Sequence, residues 1–245
     1  MLPVTLVAPA KLTLSLRVTG RRPDGFHLID AEMVTVDLFD DLELAAVDAA
    51  SPAASLDVID AASGAPLDVG PVSTNLVTRA LDLVDRRAAV RVTKRIPPGA
   101  GLGGGSSNAA AILRWAGMTD LDAAASLGAD VAFCLVGGRA RVRGVGEQVE
   151  SLGFEARTLT LLTPPFGCST AAVYRAWDDL GGPTAEGLND LEPAAVTVEP
   201  RLATWRDRLA ADTGKTPQLA GSGSTWFVDG AFPGDGRLVV HTIPA

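Results

Sequence analysis

Early in the chain Leu12, Leu14, Leu16 and Val18 alternate with Lys11, Thr13, Ser15 and Arg17. A period of two predicts a strand with its apolar positions on one face and those four polar residues on the other. The alternation reaches back into MLPVTLVAPA, and no basic stretch precedes its small-residue pattern, so this segment reads as strand and not as a cleaved leader. RPDG at 22–25 is a turn. AEMVTVDLFDDLELAAV supplies a further strand or two, and the loop-rich SPAASLDVIDAASGAPLDVGP has room for one short strand. A helix then starts, capped by Ser73 or Thr74, with Leu76, Val77, Ala80, Leu81 and Val84 on one side. AVRVTKRI alternates again and runs into a glycine-rich stretch, after which DLDAAASLGAD is alanine-rich and helical.

Beyond about residue 155 the texture changes. TLTLLTP reads as a strand, TAAVYRAWDDL as a helix, GGPTAEGLND as a loop, PRLATWRDRLAAD as a helix, and GSGSTWF as a turn into a strand. This alternation predicts a second α+β layer. No repeat, low-complexity tract or flexible linker separates the parts, which are expected to pack tightly.

The chemistry concentrates in PPGAGLGGGSSNAAA, where Gly99, Gly101, Gly103, Gly104 and Gly105 precede Ser106, Ser107, Asn108 and an alanine run. Glycines let the main chain approach a phosphate closely, and a helix beginning near Ser106 adds the positive end of its dipole. A nucleotide is therefore the first ligand to consider. The P-loop pattern fails, because Gly105 stands where its lysine is required. Gly99, Gly101 and Gly104 do spell the dinucleotide fingerprint. Against it, Val90, Val92 and Ile96 alternate with Arg91, Thr93 and Arg95, whereas such a first strand is apolar on both faces.

Composition is compatible with a soluble nucleotide enzyme. A chain of 245 residues, 47% hydrophobic and 20% charged, buries roughly 70–75% of its unfolded surface. Its net charge of −8 argues against nucleic acid or an anionic membrane as partner. No apolar run is long enough to span a bilayer. Cys134 and Cys168 lack metal spacing and read as idle thiols in a reducing cytoplasm.

The glycine stretch resembles the ATP-binding motif of the small-molecule kinases named for galactose, homoserine, mevalonate and phosphomevalonate, the GHMP kinases. LAGSGSTWF resembles that family's third glycine motif, and LGADVAFCL the segment bearing its catalytic aspartate. APAKLTLSLRVTGRRPDGFH resembles the opening of a branch that acts on a cytidine diphosphate conjugate of a methyl sugar alcohol. The resemblance implies a two-domain α+β architecture. Residues 1–155 would form an ATP-binding part like the second domain of ribosomal protein S5, and 156–245 a shortened ferredoxin-like part. It implies ATP with Mg2+, the metal held mainly by the nucleotide phosphates and by no dedicated protein ligands. It also implies a small-molecule substrate and a cytoplasmic monomer or homodimer.

By the same resemblance, Asp130 is the base that takes the substrate hydroxyl's proton and Lys11 its partner. Pro97, Pro98, Gly99, Ala100, Gly101, Leu102, Gly103, Gly104, Gly105, Ser106 and Ser107 wrap the ATP phosphates, with Ser106 or Ser107 near magnesium and Asn75 and Lys94 at the adenosine end. Phe26, His27 and Tyr174 meet the cytosine, while Thr13, Thr170, Gly221, Ser222 and Gly223 line the rest of the substrate site. Without the family, Lys11 is a solvated strand lysine, Asp130 an N-cap, Lys94 an exposed strand charge, Phe26-His27 a turn pair and Tyr174 core packing. Four departures stand out: Thr13 replaces the family's usual asparagine, Ala132 replaces a proline, the stretch between the glycine helix and Asp130 is shorter than usual, and AFPGDGRLVVHTIPA leaves no room for a final helix. Three readings remain open. They are a kinase for the cytidine-linked substrate, a kinase for another small alcohol, and a noncatalytic nucleotide-binding relative.

Overall fold

The computed structural model describes residues 4–46 and 55–245. Residues 1–3 of the first expected strand, Val47 at the end of the second and residues 51–54 of the loop-rich stretch lie outside them. In the described residues β1 (Val4–Arg21) and β2 (His27–Ala46) form a long antiparallel pair. Beyond β2, its C-terminal half pairs with β4 (Ala88–Lys94) and its N-terminal half with β5 (Arg139–Gly144). β3 (Leu56–Asp60) lies parallel to β4, and β6 (Gln148–Ser151) closes the hairpin from β5.

The expected single apolar face of β1 does not form. Its register against β2 shifts between Thr13 and Ser15, which reverses the inside-outside sense of Ser15 to Val18, before a further shift between Val18 and Gly20. Leu12 and Leu14 enter one core cluster, and Leu16 enters the other. Lys11 and Thr13 are not on a solvated face either. Both are buried, Lys11 against the glycine loop at Gly103 and Thr13 beside the turn at Gly221.

Four helices cover one side of this sheet: α1 (Leu76–Leu83), α2 (Gly104–Trp115), α3 (Leu121–Leu127) and α4 (Val131–Val136). The cap of α1 is Asn75, whose side-chain oxygen accepts from the Val77 amide at 3.0 Å, and not Ser73 or Thr74, which lie in a preceding 3-10 turn. α2 begins two residues earlier than the serine pattern suggested, at Gly104. Ala109, Ala110 and Ala111 are all buried along it, and their small side chains let α2 sit close between β1, α1 and α4.

The second sheet comprises β7 (Thr158–Leu162), β8 (Gln218–Leu219), β9 (Trp226–Asp229) and β10 (Arg237–His241), in the order β10-β7-β9-β8. Every pairing is antiparallel. Numbered along the chain this is the 4-1-3-2 order of a ferredoxin-like sheet. α5 (Thr170–Asp179), α6 (Glu192–Val198) and α7 (Arg201–Thr213) connect β7 to β8. The sequence reading had no place for α6, β8 or β10.

The expected shortening falls between β9 and β10, which are joined without a helix. A pinned loop replaces it. The buried Thr160 hydroxyl donates to the Gly230 carbonyl at 2.7 Å and accepts from the Phe232 amide at 3.0 Å, while Arg237 pairs with Asp212 of α7. The free faces of the two sheets pack together through Leu12, Leu14, Val34 and Val36 against Leu159, Leu161, Phe227 and Val240. No helix among the described residues is long and apolar enough to cross a membrane.

Candidate active site

Where the two layers meet, a cavity of about 620 Å3 opens. Its wall includes every residue from Pro97 to Ser106, together with Lys11, Thr13, Asn75, Lys94, Asp130, Thr170, Tyr174, Gly221 and Ser222. Most of the expected residues thus converge on one hollow. Phe26, His27, Ser107 and Gly223 do not line it.

Sterics explain the glycines of the loop. Gly101 has φ +79°, and a Cβ there would stand 2.5 Å from the Ala220 carbonyl oxygen and 2.7 Å from that of Gly223. The glycine loop therefore rests directly on the turn that carries the third glycine motif. Gly103, at φ +67°, is the N-cap of α2, and a Cβ there would meet the Lys11 side chain at 2.6 Å. Only glycine lets the helix start so close to that lysine. The first amides of α2 and the positive end of its dipole face the cavity, an arrangement suited to phosphate.

Lys11 Nζ stands 3.1 Å from Asp130 Oδ2 and donates to Thr13 Oγ1 at 3.1 Å. Both line the cavity, Lys11 with 6% of its side chain exposed and Asp130 with 31%. Asp130 occupies the N-cap position of α4, yet its carboxylate accepts no capping hydrogen bond and is turned to Lys11. The plain reading of Asp130 as a cap is thereby corrected, as is that of Lys11 as a solvated lysine. A buried ammonium needs an anionic partner, and Asp130 supplies it.

Beneath the loop lies a polar network that the sequence did not reveal. Asp40, fully buried, is ion-paired with Lys94 and accepts from Asn108 Nδ2 at 3.0 Å and from the amides of Arg95 and Ile96 at 2.8 and 2.9 Å. Lys94 is therefore not an exposed strand charge. It lines the cavity with its ammonium already engaged. Asp40 sits in an acidic stretch of β2 that looks solvated, and only the fold brings it to Lys94. The Ser107 hydroxyl is likewise engaged, donating to the Pro9 carbonyl at 2.6 Å, which leaves Ser106 as the loop serine facing the cavity.

On the opposite wall Thr170 and Ser222 join α5 to the third-motif turn at 2.9 Å. Asn189, another unforeseen residue, donates to the carbonyls of Leu219 and Gly221 and fixes that turn from behind. His27 stacks on Tyr174 with ring centroids 4.7 Å apart and an interplanar angle of 22°. Its Nε2 is 2.8 Å from Asp178, so the imidazole covers one face of the tyrosine instead of lying open. Phe26 projects outward, 64% exposed. Burial and the nearby Asp130 charge push the Tyr174 hydroxyl above its ordinary pKa, keeping it neutral. Among the described residues no cluster of three His, Cys, Asp or Glu side chains could hold a metal by itself.

The sequence matches the GHMP kinases N terminal domain family over residues 75–138, the segment from the α1 cap to just beyond α4. A 4-diphosphocytidyl-2-C-methyl-D-erythritol kinase of Pelotomaculum thermopropionicum is 37% identical over 91% of this chain and 88% of its own length. One from Ruegeria pomeroyi is 36% identical over 94% and 89%. A crystal structure of 4-(cytidine 5'-diphospho)-2C-methyl-D-erythritol kinase superposes with a TM-score of 0.73 at 29% identity, covering 98% of this chain and 99% of that one. A homoserine kinase from Cytophaga hutchinsonii shares the fold, with a TM-score of 0.59 at 18% identity. At such identity over nearly the full length, the chain belongs to the 4-diphosphocytidyl-2-C-methyl-D-erythritol kinase family of the GHMP kinases.

Proposed function

We propose that the chain is an ATP-dependent kinase that phosphorylates the 2-hydroxyl of 4-diphosphocytidyl-2-C-methyl-D-erythritol, a step in the non-mevalonate formation of isoprenoid precursors. The observation that carries the reading is the Lys11–Asp130 pair, 3.1 Å apart in the wall of a cavity whose other side is a glycine-rich helix start. An acid-base pair beside a phosphate cradle is what alcohol phosphorylation requires.

In the reaction Asp130 accepts the proton of the attacking hydroxyl. The new bond forms between that oxygen and the γ-phosphorus, and the bond from the γ-phosphorus to the bridging oxygen breaks, releasing ADP. Lys11 balances the carboxylate and adds positive charge near the transferred group. The backbone amides between Gly99 and Ser106 hold the phosphates, and Asn75, whose side-chain oxygen caps α1, meets the adenosine end. Lys94 holds the wall there through Asp40.

A magnesium ion carried in by the nucleotide would be held mainly by the phosphates, with Ser106 beside them in the cavity wall and no protein metal cage among the described residues. Such an ion would neutralise charge on the phosphate oxygens. The cytosine end of the substrate is assigned to Phe26, His27 and Tyr174, of which only Tyr174 reaches the cavity wall, while His27 backs it by stacking and Phe26 stands exposed beyond the wall. Thr13, Thr170 and the turn at Gly221, Ser222 and Gly223 shape the remainder of the substrate site. Residues 1–155 serve as the ATP-binding domain and 156–245 as the second domain, in a cytoplasmic monomer or homodimer.

A substrate panel tests this. With ATP and Mg2+, ADP release is expected with the cytidine-linked alcohol and not with homoserine or mevalonate. Release with either of those alone would contradict the assignment.

A further inference from the structure

Hairpin tips ordinarily face solvent, yet the tip of the β5–β6 hairpin is buried at Gly146. Gly146 has φ +117°, and a Cβ there would stand 2.2 Å from the carbonyl oxygen of Ala129 and 2.8 Å from its carbonyl carbon. Both are backbone atoms, so no side chain can swing aside. The turn is also stiff. The Glu147 carboxylate accepts from the Val145 amide at 2.6 Å, and the Gly146 amide donates to the Arg143 carbonyl at 3.2 Å.

Ala129 directly precedes Asp130 in the short link between α3 and α4. Asp130 makes no capping hydrogen bond there, so its own helix does not fix its side chain. The hairpin, by contrast, is anchored to the sheet frame. β5 pairs with Ile29 to Val34 of β2, and the next β2 residue, Thr35, pairs with Lys11 of β1. Both members of the Lys11–Asp130 pair are thus located from one strand, Lys11 by pairing and Asp130 by contact.

We propose that Gly146 is a positioning residue for phosphoryl transfer. By letting the hairpin tip press on the Ala129 backbone, it sets where Asp130 stands relative to Lys11 and the attacking hydroxyl. The inference rests on the reading of Asp130 as base. Arg114 completes the support from the far side, donating from α2 to the Cys134 carbonyl of α4.

The test is a cycle of Gly146→Ala, Asp130→Asn and the double variant, with kcat and both KM values measured on the full chain. Gly146→Ala is expected to lower kcat about 10- to 100-fold, the scale of a misplacement near 1 Å, with both KM values within about twofold. In the Asp130→Asn background the same change is expected to cost nothing further, because the group it positions is gone. Losses that multiply in the double variant overturn the proposal, as does a wild-type kcat in Gly146→Ala. If that variant does not fold, Glu147→Ala decides, since it loosens the turn without a clash. A lower kcat at unchanged KM supports the proposal, and wild-type kinetics overturn it. Normal turnover by Asp130→Asn alone marks the failure of the base assignment itself.

Discussion

Asp40 is fully buried beneath Lys94 in the cavity wall, and their pairing governs what each can tolerate. Replacing Lys94 by methionine leaves a fully buried carboxylate with three hydrogen-bond donors and no cation. Breaking a buried pair from one side costs about 3–5 kcal/mol, so Lys94→Met is expected to lower the urea midpoint sharply. A loss below about 1 kcal/mol would show that the pair carries little, as exposed pairs do. At this scale the sequence was uneven. Lys11 and Asp130 were legible through the family motifs around them, since neither residue type in its local pattern points to a buried pair. Asp40, Asn108 and Asn189 were not legible. Their roles arise from partners 30 to 68 residues away, which no local pattern encodes.

Among the elements, the contact between the glycine loop and the third-motif turn tolerates no side chain at Gly101. Gly101→Ala places a Cβ against two carbonyl oxygens and forces a residue with a side chain into φ +79°. The loop and turn are then expected to part and the ATP KM to rise about tenfold or more, equivalent to roughly 1.4 kcal/mol or above. An unchanged ATP KM would mean that the loop does not depend on that turn. The loop itself was readable in advance because its glycines answer a local backbone requirement. The face of β1 was not. A register shift at Thr13–Ser15 is invisible in an alternation that continues unbroken through it. α6 was missed for a different reason: Glu192–Val198 is short and contains Val196, Thr197 and Val198, which carry no helix preference, and packing of Ala194 and Ala195 into the core overrides this.

For the molecule as a whole, the core around the cleft between the two layers holds ionisable groups that stay neutral. Burial, with the nearby Asp130 charge, pushes the Cys134 thiol up from an ordinary 9.0 to about 12, and Tyr174 is raised for the same reasons. In the window between those values the folded chain holds a proton that the unfolded chain has released, so stability is fully present below about pH 9 and falls as pH rises toward 12. The slope is bounded near 1.4 kcal/mol per pH unit for each group. Urea midpoints at pH 8 and pH 10.5 should therefore differ more for the wild type than for Cys134→Ala. Equal differences would remove the thiol from this account. The α+β class followed from strand and helix patterning, whereas the 4-1-3-2 order of the second sheet depends on pairings that sequence alone does not state.

The central claim is that Asp130 works on a nucleotide held independently by the loop amides. Asp130→Asn measured for both ATP affinity and phosphoryl transfer to the cytidine-linked alcohol tests it most directly. The expected result is an ATP Kd within about threefold of wild type and a transfer rate lower by about two to four orders of magnitude. A transfer rate equal to wild type, or loss of ATP binding together with activity, would contradict it.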